Sequence, residues 1–429
     1  MASVEPPEIA PPQAMAPAPG AFLRATALTV ACATVSVLPA YLTGALAVQM
    51  RADIGFGRAG QGVAVGAFFA ANALTTVWMG RLVERVGTIP GVRLGLALSA
   101  VASVGIVLAP PGLGVLVALL AVAGVGNGVM GPALALLTAR RVPVDRQGLA
   151  FGVKQGGVSM AALLGGVAVP AVALTVGWRW AFAGAAVAAA TLLAAPRRAP
   201  EDGPSPRRGT TAAVPAQDRG RPDAALLLLT VAFALGSSAA MAVGAFLVDA
   251  GVEAGLGEGA AGLTLAAASL AAVATRVVSG WAVDRSHRDH LAVVAAMIAV
   301  GTVGYLLLAT GDRTLFVVGG MIAYGAGWGW VGLLVFAVVD LHPAAPARAT
   351  GVAQVGAATG GVAGPLLLAL VAQRLGYEAG WLAAAVLAVL GGGCVVLGRR
   401  AAARAAAAAP ATADSGKPVV DLREDVVGD

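Results

Sequence analysis

Few residues in this 429-residue chain could do chemistry, and their placement is the first clue to its function. Lys154 and Arg276 are cations set inside long apolar runs, where an ionisable side chain is costly and marks a functional site by default. A second group falls in two short charged stretches, "MGRLVERVG" (Met79 to Gly87) and "SGWAVDRSHRDH" (Ser279 to His290). Gly280, Asp284 and Arg285 follow Gly80, Glu84 and Arg85 by 200 residues each. An acid beside an arginine, used twice, suits ion pairs better than covalent catalysis.

Other chemistries find no support. The three histidines (His287, His290, His342) are too scattered to hold a metal. Cys32 and Cys394 lie in apolar runs without CxxC spacing, so neither a disulfide nor a metal site is expected. No nucleophile–base set stands out, so the chain is expected not to be an enzyme and to need no cofactor. "GNGVMG" (Gly126 to Gly131) and "GWGWVG" (Gly327 to Gly332) match the dinucleotide fingerprint, which has force only between a strand and a helix. Here both copies sit mid-way along apolar runs, where small residues let helices approach closely in lipid. No phosphate-binding Gly-x-x-x-x-Gly-Lys-Ser/Thr loop occurs, so energy is expected from a gradient rather than from ATP.

The elements that position these residues follow from composition. Charged residues make up 12% of the chain against about a quarter in soluble proteins, and 58% are apolar, which calls for a bilayer as solvent. With roughly 20 apolar residues per crossing, twelve spans are expected: 25–50, 59–79, 91–109, 113–139, 149–173, 178–196, 224–249, 260–282, 291–311, 314–339, 349–373 and 379–398. The predicted fold is an all-α polytopic membrane protein of two six-helix bundles, 25–196 and 224–398. A polar linker, 197–223, joins them, and tails 1–24 and 399–429 flank them. The Pro/Ala-rich start shows no cleavable signal peptide.

Basic residues set the orientation. With the N-terminus cytoplasmic, 21 of the 28 Lys and Arg fall in inner segments and five in outer ones; Lys154 and Arg276 lie within spans. A multi-pass protein of the plasma membrane with both termini cytoplasmic is expected. The net charge of +6 then belongs to the inner face, so no nucleic-acid partner is inferred.

The repeat extends beyond the charged stretches. Gly124, Gly126, Gly128 and Gly131 recur as Gly325, Gly327, Gly329 and Gly332 at a spacing of 201. Gly152, Gln155, Gly157 and Gly165 recur as Gly351, Gln354, Gly356 and Gly364 at a spacing of 199. Two similar halves imply a pseudo-two-fold axis along the membrane normal, with a cavity between them.

"GRLVERVG" resembles the signature loop of the major facilitator superfamily, Gly-x-x-x-Asp-Arg-x-Gly between the second and third helices, and "GWAVDR" is similar to its echo between the eighth and ninth. The likeness covers about 22–398, with Glu84 where the family usually has Asp. The resemblance implies that Gly80, Glu84, Arg85 and Gly87, with Gly280, Asp284 and Arg285, form cytoplasmic latches. Each acid would face the positive N-terminal end of a helix in the other half, Glu84 near Thr350 and Asp284 near Gly148. Arg140 and Arg146 would complete the ion-pair net. The plainer reading, that these charges cap helices and orient insertion, stays open.

"ATRVVSGWAVDR" also resembles the eighth helix of small-anion transporters (nitrate, cyanate, monocarboxylates), in which an arginine upstream of the signature glycine binds substrate. Thr76 stands where the nitrate branch has a second arginine. Lys154 and Arg276, each roughly 9–12 Å from the cytoplasmic surface at ~1.5 Å per residue, could share an oxyanion. They could equally snorkel to water. Gln155, Gln354, Asn127, Tyr41 and Tyr324 are further cavity candidates, with Ser237, Ser238 and Trp328. No Asp or Glu falls in the middle of a span, and Asp249 and Asp340 at span ends are expected to be solvated. The expected function is secondary transport of a small, anionic molecule by a monomer, with a proton as coupling ion. Multidrug or metabolite efflux by proton antiport is the alternative, and a non-transporting membrane sensor a third reading.

Overall fold

In lipid no water is at hand to satisfy peptide groups, so a spanning chain must form helices or a closed barrel. This chain forms helices. A computed structural model describes residues 19–110, 112–141, 147–195, 223–286, 289–343 and 345–408. The first half holds α1 (Pro19–Ala45), α2 (Ala47–Ile54), α3 (Arg58–Val86), α4 (Thr88–Leu108), α5 (Leu113–Arg141), α6 (Gln147–Ala168) and α7 (Trp178–Ala194). The second holds α8 (Ala224–Glu253), α9 (Glu258–Ser286), α10 (His290–Leu308), α11 (Arg313–Gly329), α12 (Val331–Leu341) and α13 (Pro346–Ala408).

Ten helices are long and apolar enough to cross a membrane, and Trp178–Ala194 is a shorter apolar one. The twelfth crossing hides in α13, whose 63 residues turn at Gly376, where φ is 86°. That backbone region strains any residue with a Cβ, so Gly376 divides the eleventh span from the twelfth. The first span is α1 plus α2, and the tenth is α11 plus α12, broken at Trp330. The last helix runs on to Ala408, past the expected end of the bundle at 398, through an alanine run of high helix propensity. The outward faces carry Leu108 (77% exposed), Val187 and Leu270, an apolar belt suited to acyl chains.

The halves repeat in their packing. α1 lies on α6 as α8 lies on α13, and α3 lies on α5 as α9 lies on α11. Glycine sets the separations. A Cβ on Gly124 would stand 2.2 Å from the Phe68 carbonyl oxygen, and one on Gly128 would meet Thr75 Oγ1 at 2.5 Å. A Cβ on Gly329 would meet Met297 Cε at 2.9 Å. The fingerprint-like glycines are therefore packing surfaces. Turns repeat as well: Gly55 and Gly255 share a positive φ, as do Gly177 and Gly376.

Proline and its rescue show how the interior stays satisfied. Pro39 has no N–H to give the Val35 carbonyl one turn earlier. Ser99 of α4 donates its hydroxyl to that oxygen at 3.1 Å. After α6 the chain widens into a π-turn, Val169–Ala173, with Pro170 at its start.

Contacts between the halves concentrate at one end of the bundle, opposite the chain termini. There α3 meets α13 where Gly62 faces Pro365 and Ala369, and α6 meets α9 where Gly166 faces Gly262 and Ala266. Nearer the termini the same helices diverge. Leu74 on α3 is 75% exposed, Val277 on α9 is 66% exposed and Val355 on α13 is 63% exposed.

Candidate functional site

Where the halves part company, a buried polar and aromatic group crosses between them. Arg276 of α9 donates from one guanidinium nitrogen to Ser159 Oγ of α6 at 2.8 Å. The other donates to the Trp328 carbonyl at 3.3 Å. That carbonyl lies at the break between α11 and α12, where the Trp330 indole N–H likewise serves the Gly327 carbonyl at 2.7 Å. A broken helix offers main-chain oxygens that a continuous one keeps for itself, and discontinuous helices recur at membrane binding sites. The guanidinium also lies 5.9 Å from the Trp328 ring centroid, within cation–π range.

Two buried phenols complete the group. Tyr324 of α11 donates to the Tyr41 hydroxyl at 3.4 Å, and Tyr41 of α1 reaches Met241 Sδ of α8 at 3.9 Å. Both lie within electrostatic reach of Arg276. Tyr41 and Met241 are 200 residues apart, so this contact runs between symmetry-related positions on the first helix of each half. The Trp328 indole N–H and the Ser237 hydroxyl are buried without a hydrogen-bond partner among the described residues. The arrangement can hold one anionic group on a fixed fork, with aromatic walls and the spare Trp328 indole N–H beside it.

Other candidates are placed differently. Asn127 Oδ1 accepts from Ser36 Oγ at 3.0 Å, a contact inside the first half. Gln354 is exposed on α13 near the terminal end. Arg146 lies outside the described residues, as do the side chains of Arg140, Lys154, Gln155, Asp284 and Arg285 and the surroundings of Gly280. A Cβ on Gly80 would stand 3.8 Å from the Pro132 side chain, and Gly87 turns α3 into α4 with φ 97°. Glu84 and Arg85 are exposed, and among the described residues neither forms an ion pair. The Thr350 hydroxyl bonds within its own helix, to the Pro346 carbonyl at 2.8 Å.

Ser159 escaped the sequence reading. It sits five residues after Lys154 in a glycine-rich run, and only the packing of α6 on α9 shows that it meets Arg276.

A correction arises at the far end. Asp249, expected to be solvated, is 3% exposed. Arg51 of α2 reaches both its oxygens, one at 2.8 Å, and the Tyr377 hydroxyl of α13 donates to it as well. Beside it Arg58 of α3 pairs with Glu253 of α8 and donates to the Ala372 carbonyl at 2.7 Å. Gln49 donates to Glu258 at 2.6 Å, and Gln61 donates to the Ala245 carbonyl at 2.7 Å. The physical reason is helix packing: α8 reaches past the expected span end, so Asp249 faces the other half rather than water.

At the terminal end, Asp289 caps α10 and accepts from Arg399 at 2.5 Å. Burial alone would raise its carboxyl pKa, but the Arg399 hydrogen bond and charge and the Ala292 and Leu291 N–H groups outweigh it and hold the pKa below its ordinary value.

Three comparisons bear on identity. The model of the Major Facilitator Superfamily matches residues 28–352. No curated protein matches. Among solved structures, the chain is similar to a bacterial homolog of the human lysosomal transporter Spinster, in inward-facing and unoccupied conformation. The TM-score is 0.69 at 15% identity, covering 90% of this chain and 98% of that one. It is also similar to a POT family transporter in complex with 5-aminolevulinic acid. There the TM-score is 0.68 at 13% identity, covering 87% and 96%. With three quarters of its length matched by the family model and twelve helical crossings in two repeated halves, the chain belongs to the major facilitator superfamily of membrane transporters.

Proposed function

We propose that the protein is a secondary transporter of a small organic anion, working by alternating access and driven by an ion gradient, with a proton as the coupling ion. The single observation that carries this reading is Arg276. It is a cation between the two halves, bonded to Ser159 on one and to a main-chain oxygen on the other, with aromatic side chains around it. A bound carboxylate would compete for those donors and so change the contact between the halves. Among the described residues the middle of the spans holds no acid to receive a cationic drug. Lys154, five residues before Ser159 on the same helix, supplies a second positive charge for the anion. The complex of a same-fold transporter with 5-aminolevulinic acid supports a small carboxylate as a ligand that this architecture accommodates.

The excess of basic residues in the segments on the terminal side supports a cytoplasmic location for both termini and insertion in the plasma membrane. In that orientation the structure is closed to the outside and open to the cytoplasm, and the inward-facing state named for the Spinster homolog supports the same assignment. Glu84 and Asp284 would then serve as the latches of the opposite state, consistent with the exposure of Glu84. The linker and tails expected at 197–223, 1–24 and 399–429 would lie on the cytoplasmic side.

The test is counterflow of labelled carboxylates in proteoliposomes at several pH values. Uptake that depends on preloaded carboxylate and is lost in Arg276→Gln, but not in Arg313→Gln at the exposed start of α11, supports the reading. Dye efflux that is indifferent to Arg276→Gln would favour multidrug export instead, and binding without flux would favour a sensor.

A further inference from the structure

A cavity of about 250 Å3 opens at the far end of the first half, and its lining shares no residue with the group around Arg276. Ile106 and Ala109 ending α4, Leu116 and Leu119 of α5, and Trp178 and Arg179 starting α7 line it. The lining follows α5 from Gly112 to Leu119, roughly 10 Å along the helix axis. Its walls are apolar, and charge is confined to the mouth. There Arg179 (35% exposed) donates to Asp53 Oδ2 at 2.7 Å, and Asp53 is 41% exposed. The Trp178 indole N–H donates to the same oxygen at 3.2 Å. Among the described residues, Oδ1 of Asp53 and the Nη2 and Nε groups of Arg179 make no hydrogen bond. The guanidinium lies over the Trp178 ring, 4.5 Å from its centroid, and this stacking orients its fork.

The mouth stands at the membrane surface. α7 runs for 17 residues, roughly 25 Å, so its first turn marks one edge of the hydrocarbon core. Tryptophan favours that level, and Trp180 is 64% exposed there. Val115 of the lining is 39% exposed, and Leu108, just before Ala109, is 77% exposed. Apolar surface suited to lipid therefore edges the opening.

We infer that this cavity is a phospholipid site, and that the lipid it takes carries an ethanolamine headgroup. The phosphate meets the free N–H groups of Arg179, and the ammonium donates to Asp53 Oδ1. One acyl chain fills the apolar cavity beneath, whose depth covers much of a leaflet about 15 Å thick. Charge complementarity carries the argument. The mouth presents one cation and one anion side by side, and a zwitterionic headgroup presents the same two charges reversed. An anionic headgroup would satisfy Arg179 but set further negative charge against Asp53. A choline headgroup brings a cation without an N–H, so Asp53 Oδ1 would still lack a donor. The inference rests on the fold and its bilayer, and not on Arg276 or on what is transported.

The test titrates the full chain in detergent with phosphatidylethanolamine, its mono-, di- and trimethylated forms, and phosphatidylglycerol, all with the same acyl chains. Native mass spectrometry counts the lipids bound. The expected result is one site that takes phosphatidylethanolamine about tenfold more tightly than the trimethylated form, phosphatidylcholine, as one charge-assisted hydrogen bond would give. Within the series the drop falls at the third methyl, where the last N–H is lost. Asp53→Ala removes the preference for ethanolamine over choline, and Arg179→Gln weakens every phospholipid. Val115→Trp, which sets an indole in the opening, also weakens every phospholipid, whereas Arg313→Gln on the same side of the membrane changes nothing. A flat methylation series or tighter binding of phosphatidylglycerol overturns the inference. So does an ethanolamine preference that survives Asp53→Ala, or binding indifferent to Arg179→Gln. If either variant does not fold, the methylation series on the parent chain and Val115→Trp decide: a flat series, or binding unchanged by Val115→Trp, overturns it. Counterflow through Arg276 is measured separately, so either proposal can fail while the other stands.

Discussion

At Arg276 the guanidinium ties α6 of one half to the broken helix of the other, so its removal acts on binding and on the contact between halves together. Losing one partner of a desolvated charged hydrogen-bond set costs about 3 kcal/mol, which predicts a roughly 100-fold fall in counterflow rate at low substrate for Arg276→Gln. Arg276→Lys keeps the charge but not the fork and is expected to fall between the two. Initial-rate counterflow at matched protein density checks both. Asp289 offers a pH prediction of definite sign. Its pKa is held below 3.8, so the stabilisation it gives is present above about pH 4 and is lost as pH falls through the folded pKa. The pair with Arg399 is largely exposed, so Asp289→Asn, which keeps a capping oxygen, should cost less than about 1 kcal/mol near neutral pH and lose its effect in acid. Thermal unfolding in detergent at pH 7 and pH 3.5 measures it. Sequence revealed Arg276 because a cation inside an apolar run is conspicuous. It gave no hint of Ser159, since one serine among many declares its role only once the facing helix is in place.

Glycine spacing decides where helices touch, and here the expectations are opposite for residues of one motif. Gly124→Ala would force its methyl against the Phe68 carbonyl and should destabilise by about 1–3 kcal/mol. Gly332→Ala in the second copy of the motif, whose Cβ would meet no described atom within 4 Å, should be neutral or stabilising by up to about 1 kcal/mol through helix propensity. Melting temperatures of the two variants in the same detergent separate these outcomes; equal losses would show that the close approach of α3 and α5 is misplaced. At the signature loop, Glu84→Gln with Asp284→Asn should shift the population toward the state described here, since an acid at a helix N-terminus stabilises by roughly 0.3–1 kcal/mol. Cysteine accessibility at Val355, on the diverging part of α13, is the readout and should rise. The helices were legible because lipid demands long apolar runs, and the duplicated spacings near 200 exposed the two halves. Breaks within spans were not: Trp330 is as apolar as its neighbours, and the turn at Gly376 looks like any glycine until its backbone angle is known.

For the whole molecule, the structure describes one posture of a pair of lobes that touch at the far end and part toward the termini. The repeat announced two lobes, but hydropathy carries no information on which end is shut. That depends on side chains such as Asp249 and Arg51, whose partners lie 198 residues away in sequence and which look like ordinary span-end charges. The central claim is that closing one end opens the other. It is tested most directly by measuring both ends in one sample, with spin-label pairs at Ala52 and Ala260 on the far side and at Val86 and Val355 on the terminal side. The far gate is then loosened by Arg58→Gln, which removes the Glu253 pair and the Ala372 contact. The account predicts that the far-end distance lengthens while the terminal-end distance shortens, in the same fraction of molecules. A far end that opens with the terminal end unmoved would contradict it.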